Sequence, residues 1–296
     1  MKLRLVYLAS LLPLISPRLA AAQTAELVVP FNAAALEFPT SIALDRSGNC
    51  FLGMAATSLI KKVTPTGAQS VFAKIDDARI QGLAFDFEGN LLVAGAAGIW
   101  KVTPAGTAGL WAKIGPGVLH DLAVDSLGNI YATCQPDDRS GAIWKIDARG
   151  NASLWFASPL LAPAKSFLPA PVGASGLALD LQQWTLYTTV TGTGRILEIK
   201  INSDGSAGAA RIVVENAALV GASALRLDDR GNFYTAVSLT NRITKITPDG
   251  SITDLAAGGM LSSPASLALD IRGGRTNLYV CNNGNSAAGE DRKSVV

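Results

Sequence analysis

The sequence predicts an all-β chain folded as a ring of six four-stranded antiparallel sheets, a six-bladed β-propeller. Three observations carry that expectation: a block that recurs six times, turn chemistry inside each block, and a composition hostile to long helices. The block reads SIALDRSGNCFL from Ser41, GLAFDFEGNLLV from Gly82 and DLAVDSLGNIYA from Asp121. It returns as GLALDLQQWTLY from Gly176, ALRLDDRGNFYT from Ala224 and SLALDIRGGRTNLYV from Ser266. Its aspartate falls at Asp45, Asp86, Asp125, Asp180, Asp228 and Asp270, at intervals of 41, 39, 55, 48 and 42 residues. Such a period is the length of one small sheet per repeat. With 29 glycines and 14 prolines the chain is too often interrupted for long helices, and 49% hydrophobic against 16% charged residues implies a large core.

The elements follow in order. Residues 1–22 read as a signal peptide: Lys2 and Arg4 precede an apolar run from Leu5 to Ile15, and Ala20 and Ala22 fit cleavage before Gln23. The run is interrupted by Pro13 and is shorter than the roughly 20 residues that span a bilayer, so no transmembrane anchor is expected. A secreted or periplasmic protein is therefore expected, with residues 23–296 as a single domain. Each repeat then opens with an apolar strand ending in Asp-x-x-Gly-Asn, where Asp accepts backbone N–H bonds and Gly and Asn tolerate left-handed turns. A second strand follows. The third reads LIKKVTP, GIWKVTP, AIWKID, RILEIKI or RITKITP, and a fourth such as GLWAKI or SLWFAS closes the unit.

A single sheet cannot bury both faces, whereas a radial array lets each cover its neighbour. The last repeat is short, and the segment Glu26–Phe31 is expected to supply its missing outer strand and latch the ring. Repeat four has Gln183-Trp184 in place of Gly-Asn, and the proline-rich stretch from Ser158 to Gly173 reads as a stiff loop, either overhanging the channel or a surface excursion. Trp100, Trp144, Trp111 and Trp155 occupy matching strand positions, which is the pattern of packing between blades.

Charge and cysteine usage exclude some function classes. The formal charge is +2, and without Lys2, Arg4 and Arg18 of the leader it is −1, which is no footprint for nucleic acid. Cys50, Cys134 and Cys281 are far apart, form no C-x-x-C pair, and read as buried apolar residues; one histidine and dispersed cysteines build no closed zinc site.

Counting back five residues from each repeat's aspartate gives Thr40, Gln81, His120, Ser175, Ser223 and Ala265. Innermost strands start around the channel, so these side chains are expected to form one ring, polar at five of six places. Such a ring needs water or a ligand to satisfy it. His120, the only histidine, has the chemistry of a general base on water. Adjacent strand residues point to opposite faces, so Asp121 is not expected to orient its imidazole, and Glu37 is the better partner.

The pattern P-x-G-[IL]-A-[VL]-D-x-x-G-N-[LIF]-[YF]-V resembles NHL repeats and, more widely, the superfamily of senescence marker protein, gluconolactonase and luciferin-regenerating enzyme. The resemblance covers about residues 26–282. In members that hydrolyse lactones or esters, it implies a divalent cation such as Ca²⁺ at the channel mouth. The ligands would be a Glu two residues before a Pro, two Asn side chains and an Asp. Glu37-Phe38-Pro39 matches the first of these, and His120, ahead of Asp121, stands where one Asn is expected. Ser175 stands in the place of the second Asn, and Ala222-Ser223-Ala224 replaces the segment that begins with Asp. The metal set is thus reduced to Glu37 and His120.

The function expected from these residues is a monomeric binding or interaction module. Its partner is a small polar ligand at Thr40, Gln81, His120, Asp121, Ser175 and Ser223, or another protein. The alternative is a metal-dependent lactone or ester hydrolase using Glu37 and His120.

Overall fold

Antiparallel strands of four to nine residues account for almost all regular structure in the computed structural model of this chain. The structure describes residues 27–76, 79–96, 98–137, 140–162, 172–182, 184–272, 275–284 and 293–295. The leader (residues 1–22) and most of the proline-rich loop lie outside them. Of that loop, Pro159–Leu161 forms one 3₁₀ turn, capped by Ser158, whose Oγ accepts the Leu160 N–H at 3.2 Å.

Five blades are each built from four consecutive strands. The first runs through Pro39–Leu44, Cys50–Met54, Leu59–Val63 and Gln69–Lys74, from the axis outward. The inner strands of the next four are Gly82–Phe85, Val118–Val124, Ala174–Asp180 and Ala222–Leu227. Six blades were expected, and the structure corrects this to five of this kind, the last repeat forming a composite sheet instead. Pro264–Arg272 and Arg275–Asn282 form a hairpin, but the chain beyond supplies only the three-residue strand Lys293–Val295. The outermost place in this composite sheet is taken by Leu27–Pro30, which pairs antiparallel with Lys293–Val295. The N-terminal strand thus holds the position foreseen for it, with Val29 and Phe31 buried against Cys50, Leu52 and Val63 of the first blade. The inner strands touch in a closed circuit, each lying against the next and Pro264–Arg272 against Pro39–Leu44.

Local chemistry explains the hairpins. At Asp45, Asp86, Asp125 and Asp228 one carboxylate oxygen accepts the N–H groups two and four residues on, at 2.8–3.0 Å. The second accepts the side-chain amide of the repeat's Asn at 2.7–2.9 Å. Gly48, Gly89, Gly128 and Gly231 adopt φ near +80°, which a Cβ would oppose. In the fourth repeat Trp184 takes the left-handed conformation instead, at φ 49°.

Packing between blades is aromatic and aliphatic. Phe51 of the first blade meets Phe85 of the second edge-on at 5.1 Å, and Tyr187 of the fourth meets Phe233 of the fifth at 4.9 Å. The tryptophans serve this packing as expected: Trp155 donates to Gly205 O of the fourth blade at 2.9 Å, and Trp111 and Trp144 pack on a cluster shared by the second and third blades, while the edge contact of Trp155 with Tyr131 and the Lys101 ammonium over Trp111 lie within single blades. All three cysteines are buried and free; burial pushes the Cys50 and Cys134 thiols up to about 11 and Cys281 to about 12.

Candidate functional site at the polar channel mouth

The inner strands do not run straight into the channel mouth. In five of the six sheets the register shifts near the start of the inner strand: between Pro39 and Ser41, Leu119 and Leu122, Ala174 and Leu177, Ala222 and Ala224, and Pro264 and Ser266. The residues inside those shifts are Thr40, His120 and Asp121, Ser175 and Gly176, Ser223, and Ala265. A bulge of this kind re-aims side chains at the end of a ladder. Thr40, Gln81, His120, Ser175, Ser223 and Ala265 accordingly line one cavity of about 520 Å³, together with Asp121 and Asn283. The ring read from the repeats is a real constellation.

Most of its hydroxyls are already used. Thr40 Oγ1 donates to Ile80 O at 2.5 Å, Ser175 Oγ to Ser223 O at 2.9 Å, and Ser223 Oγ contacts Ala265 O at 3.0 Å and Ser238 Oγ at 2.8 Å. The bonds to Ile80, Ser223 and Ala265 carbonyls each tie one blade to the next, so these residues are straps as well as cavity wall. Gly176 belongs to the same close approach, since a Cβ there would lie 2.4 Å from Leu225 N of the neighbouring strand.

His120 and Gln81 are different. Neither side chain has a hydrogen-bond partner among the described residues, and His120 Nε2 is screened from solvent as well. Burial pushes the imidazole down to about 4, with the nearby Asp121 opposing that shift, so His120 is neutral at pH 7. The alternation argument for Asp121 fails, because the bulge brings both residues to the cavity. Asp121 still does not serve the imidazole, for another reason. Its Oδ1 accepts Leu122 N–H at 2.9 Å, and its Oδ2 accepts Leu177 N–H at 3.1 Å and Arg226 Nη1 at 2.9 Å.

Glu37 requires a correction. It is absent from the cavity wall; its carboxylate is held by Lys61 Nζ and by the Asn32 N–H at 3.0 Å. Burial raises its pKa, but the bonds from Lys61 and Asn32 outweigh this and keep it below the usual carboxylate range. Glu37 is thus neither a partner for His120 nor a ligand beside it.

A divalent cation does not fit these residues. Glu37, the carboxylate expected in the metal set, and Asp121, the carboxylate of the cavity wall, are each occupied by a cation of the chain itself, and the hydroxyls of Thr40 and Ser175 are bonded to backbone carbonyls. Among the described residues no group of three or more His, Cys, Asp or Glu is placed to hold a metal. Hard cations such as Ca²⁺ want six to eight oxygens, several of them charged.

The residue that sequence reasoning missed is Arg226, and the signal was in the repeats. Two residues before the aspartate stand Ala43, Ala84, Ala123, Ala178 and Ala268, but Arg226 in repeat five. Four residues before it stand Ser41, Gly82, Gly176, Ala224 and Ser266, but Asp121 in repeat three. The two exceptions find each other across the bore.

Fold and site together define a β-propeller with one polar axial mouth, of the gluconolactonase-like type in its architecture. No family model matches the sequence, and no curated protein matches it. Solved structures do. A luciferin-regenerating enzyme superposes with TM-score 0.68 at 17% identity, over 88% of this chain and 90% of its own. A gluconolactonase from Xanthomonas campestris gives 0.67 at 14%, over 89% and 96%. Regucalcin from Agrobacterium tumefaciens, a calcium-binding protein, gives 0.68 at 14%, over 87% and 85%. At these identities the likeness is one of fold, and at that level it bears out the wider resemblance to the gluconolactonase and luciferin-regenerating enzyme superfamily.

Proposed function

We propose that this chain is an exported binding module that takes a small, uncharged polar molecule at the channel mouth, with His120 and Gln81 as its principal polar contacts. The observation that carries the reading is the unpartnered His120 nitrogen in the wall of a polar cavity, beside hydroxyls whose donors are spent on the scaffold. A buried nitrogen without a partner costs about 1–3 kcal/mol, which a ligand's hydroxyl or carbonyl would recover. About 520 Å³ suits a molecule of sugar or lactone size. The neutral imidazole and the lack of a free carboxylate among the described cavity residues favour an uncharged ligand over a cation. Export rests on the leader, and the monomer on the ring's closure of its own edges; no helix among the described residues is long and apolar enough to cross a membrane.

A thermal-shift and calorimetric screen of sugars, polyols and lactones tests it. A hit should raise the unfolding temperature, and His120→Ala and Gln81→Ala should each remove that rise while leaving the unliganded protein folded. Binding unaffected by both substitutions would refute the site.

A second reading is favoured by one observation, the neutral imidazole, which is in the state a general base needs. The structural likeness to a gluconolactonase points the same way: hydrolysis of a lactone, with His120 accepting the proton of the attacking water. Turnover of gluconolactone or an aryl ester, abolished by His120→Ala and indifferent to chelator, would establish it; turnover restored only by Ca²⁺, Mn²⁺ or Zn²⁺ would overturn the metal-free site described above.

A further inference from the structure

The bore has a second mouth, at the ends of the same inner strands, and its chemistry is opposite to the first. A cavity of about 320 Å³ opens there, and its wall carries Leu44, Phe85, Val124, Leu179, Leu227 and Leu269, one from each sheet at the place before the aspartate. All six are part-exposed rather than buried. Its one charged wall residue is Arg226. The ring of small residues at Ala43, Ala84, Ala123, Ala178 and Ala268 leaves the bore wide enough at that level to hold the guanidinium.

Arg226 is only half engaged. Nη1 donates to Asp121 Oδ2 at 2.9 Å, to Leu225 O at 2.7 Å and, longer, to Leu177 O at 3.4 Å. Nε and Nη2 bond to no protein atom among the described residues. They are the two parallel donors with which a guanidinium grips a carboxylate side-on. Asp121 lines the polar cavity and Arg226 the apolar one, so the pair stands between the two mouths. A part-buried arginine with an open donor edge, at the floor of an apolar bowl, is an arrangement that a purely structural ion pair does not require. Its two uncommitted donors and the hydrocarbon wall match one class of molecule.

We infer that the second mouth binds a free amphiphilic carboxylate of medium chain length, its head on the Nε–Nη2 edge of Arg226 and its tail against the six apolar side chains. This inference is independent of the polar mouth and of His120. Octanoate is the probe, with octanol as the uncharged control and acetate as the control without a tail. Alanine-methyl NMR on the full chain reads the location. Octanoate should give saturable shifts at Ala43, Ala84 and Ala268 while leaving residues around His120 unchanged, octanol and acetate binding at least tenfold more weakly. Arg226→Lys keeps a cation for Asp121 but loses the fork, and should weaken octanoate at least tenfold with the fold intact. Leu269→Ser, which leaves the ion pair untouched, should weaken octanoate but not acetate. Octanoate that fails to saturate, that shifts only the polar mouth, or that binds Arg226→Lys equally well would overturn the proposal.

Discussion

His120 is the side chain on which the polar mouth depends, and its protonation is linked to folding. Its pKa is about 4 in the folded chain against an ordinary value near 6.5, so the unfolded chain binds the extra proton between those limits. Stability contributed by the neutral imidazole is therefore complete above about pH 6.5 and is lost as pH falls towards 4. Denaturant unfolding across that range should show the native chain losing about 2 kcal/mol more than a His120→Gln variant. A flat difference would place the imidazole in water. The Asp121–Arg226 pair makes a second residue-scale case, with side-chain exposures of 7% and 19%. Asp121→Asn should cost about 3 kcal/mol, because it strands a part-buried guanidinium. The double change Asp121→Ser with Arg226→Ala restores the small residues of the other repeats, and should recover most of that loss in a double-mutant cycle. At this scale the sequence was half legible. Thr40, Gln81, His120, Ser175 and Ser223 could be aligned by counting within repeats, because the inner-strand starts share one radius. Glu37 was misplaced because it precedes the first repeat, where no counting rule applies, and Lys61, distant in sequence, claims its carboxylate.

At the scale of the hairpin and strand, the aspartate turn is the unit that makes each repeat recognisable. Asp228 is a buried instance: it receives Arg230 N–H, Asn232 N–H, the Asn232 amide and the Tyr234 hydroxyl, the last at 3.1 Å. Burial would raise the Asp228 carboxyl, yet these donors hold it low, while burial and the facing carboxylate push the Tyr234 phenol up to about 12. Asp228→Ala should cost about 3 kcal/mol by chemical denaturation, since several donors lose their acceptor at once. Asp45→Ala, at a more open turn without a tyrosine, should cost about 1 kcal/mol. The Asp-x-x-Gly-Asn signature made these turns predictable. The bulges were not: a one-residue shift leaves the composition of a strand unchanged, and alternation, the rule used for Asp121, is what a bulge suspends.

The whole ring depends on its composite sheet. Removing residues 23–31 takes away the outer strand and the buried Val29 and Phe31, leaving Cys50, Leu52 and Val63 uncovered. Such a truncation should lower the unfolding temperature by many degrees and increase self-association, as a sheet edge and apolar surface are opened together. A thermal melt with light scattering checks both. The four-stranded blades were legible from their recurring turn motifs, but six were expected and five are built from four consecutive strands; the shortage of strand after Asn282 and the latching N-terminal strand were both legible. Leu27 lies opposite Val295, nearly the full length of the polypeptide apart. Whichever end emerges first from a ribosome or a translocation pore must wait for the other, so the molecule cannot complete itself in transit. Under the export proposed above, that delay would keep the threadable form available until passage is over.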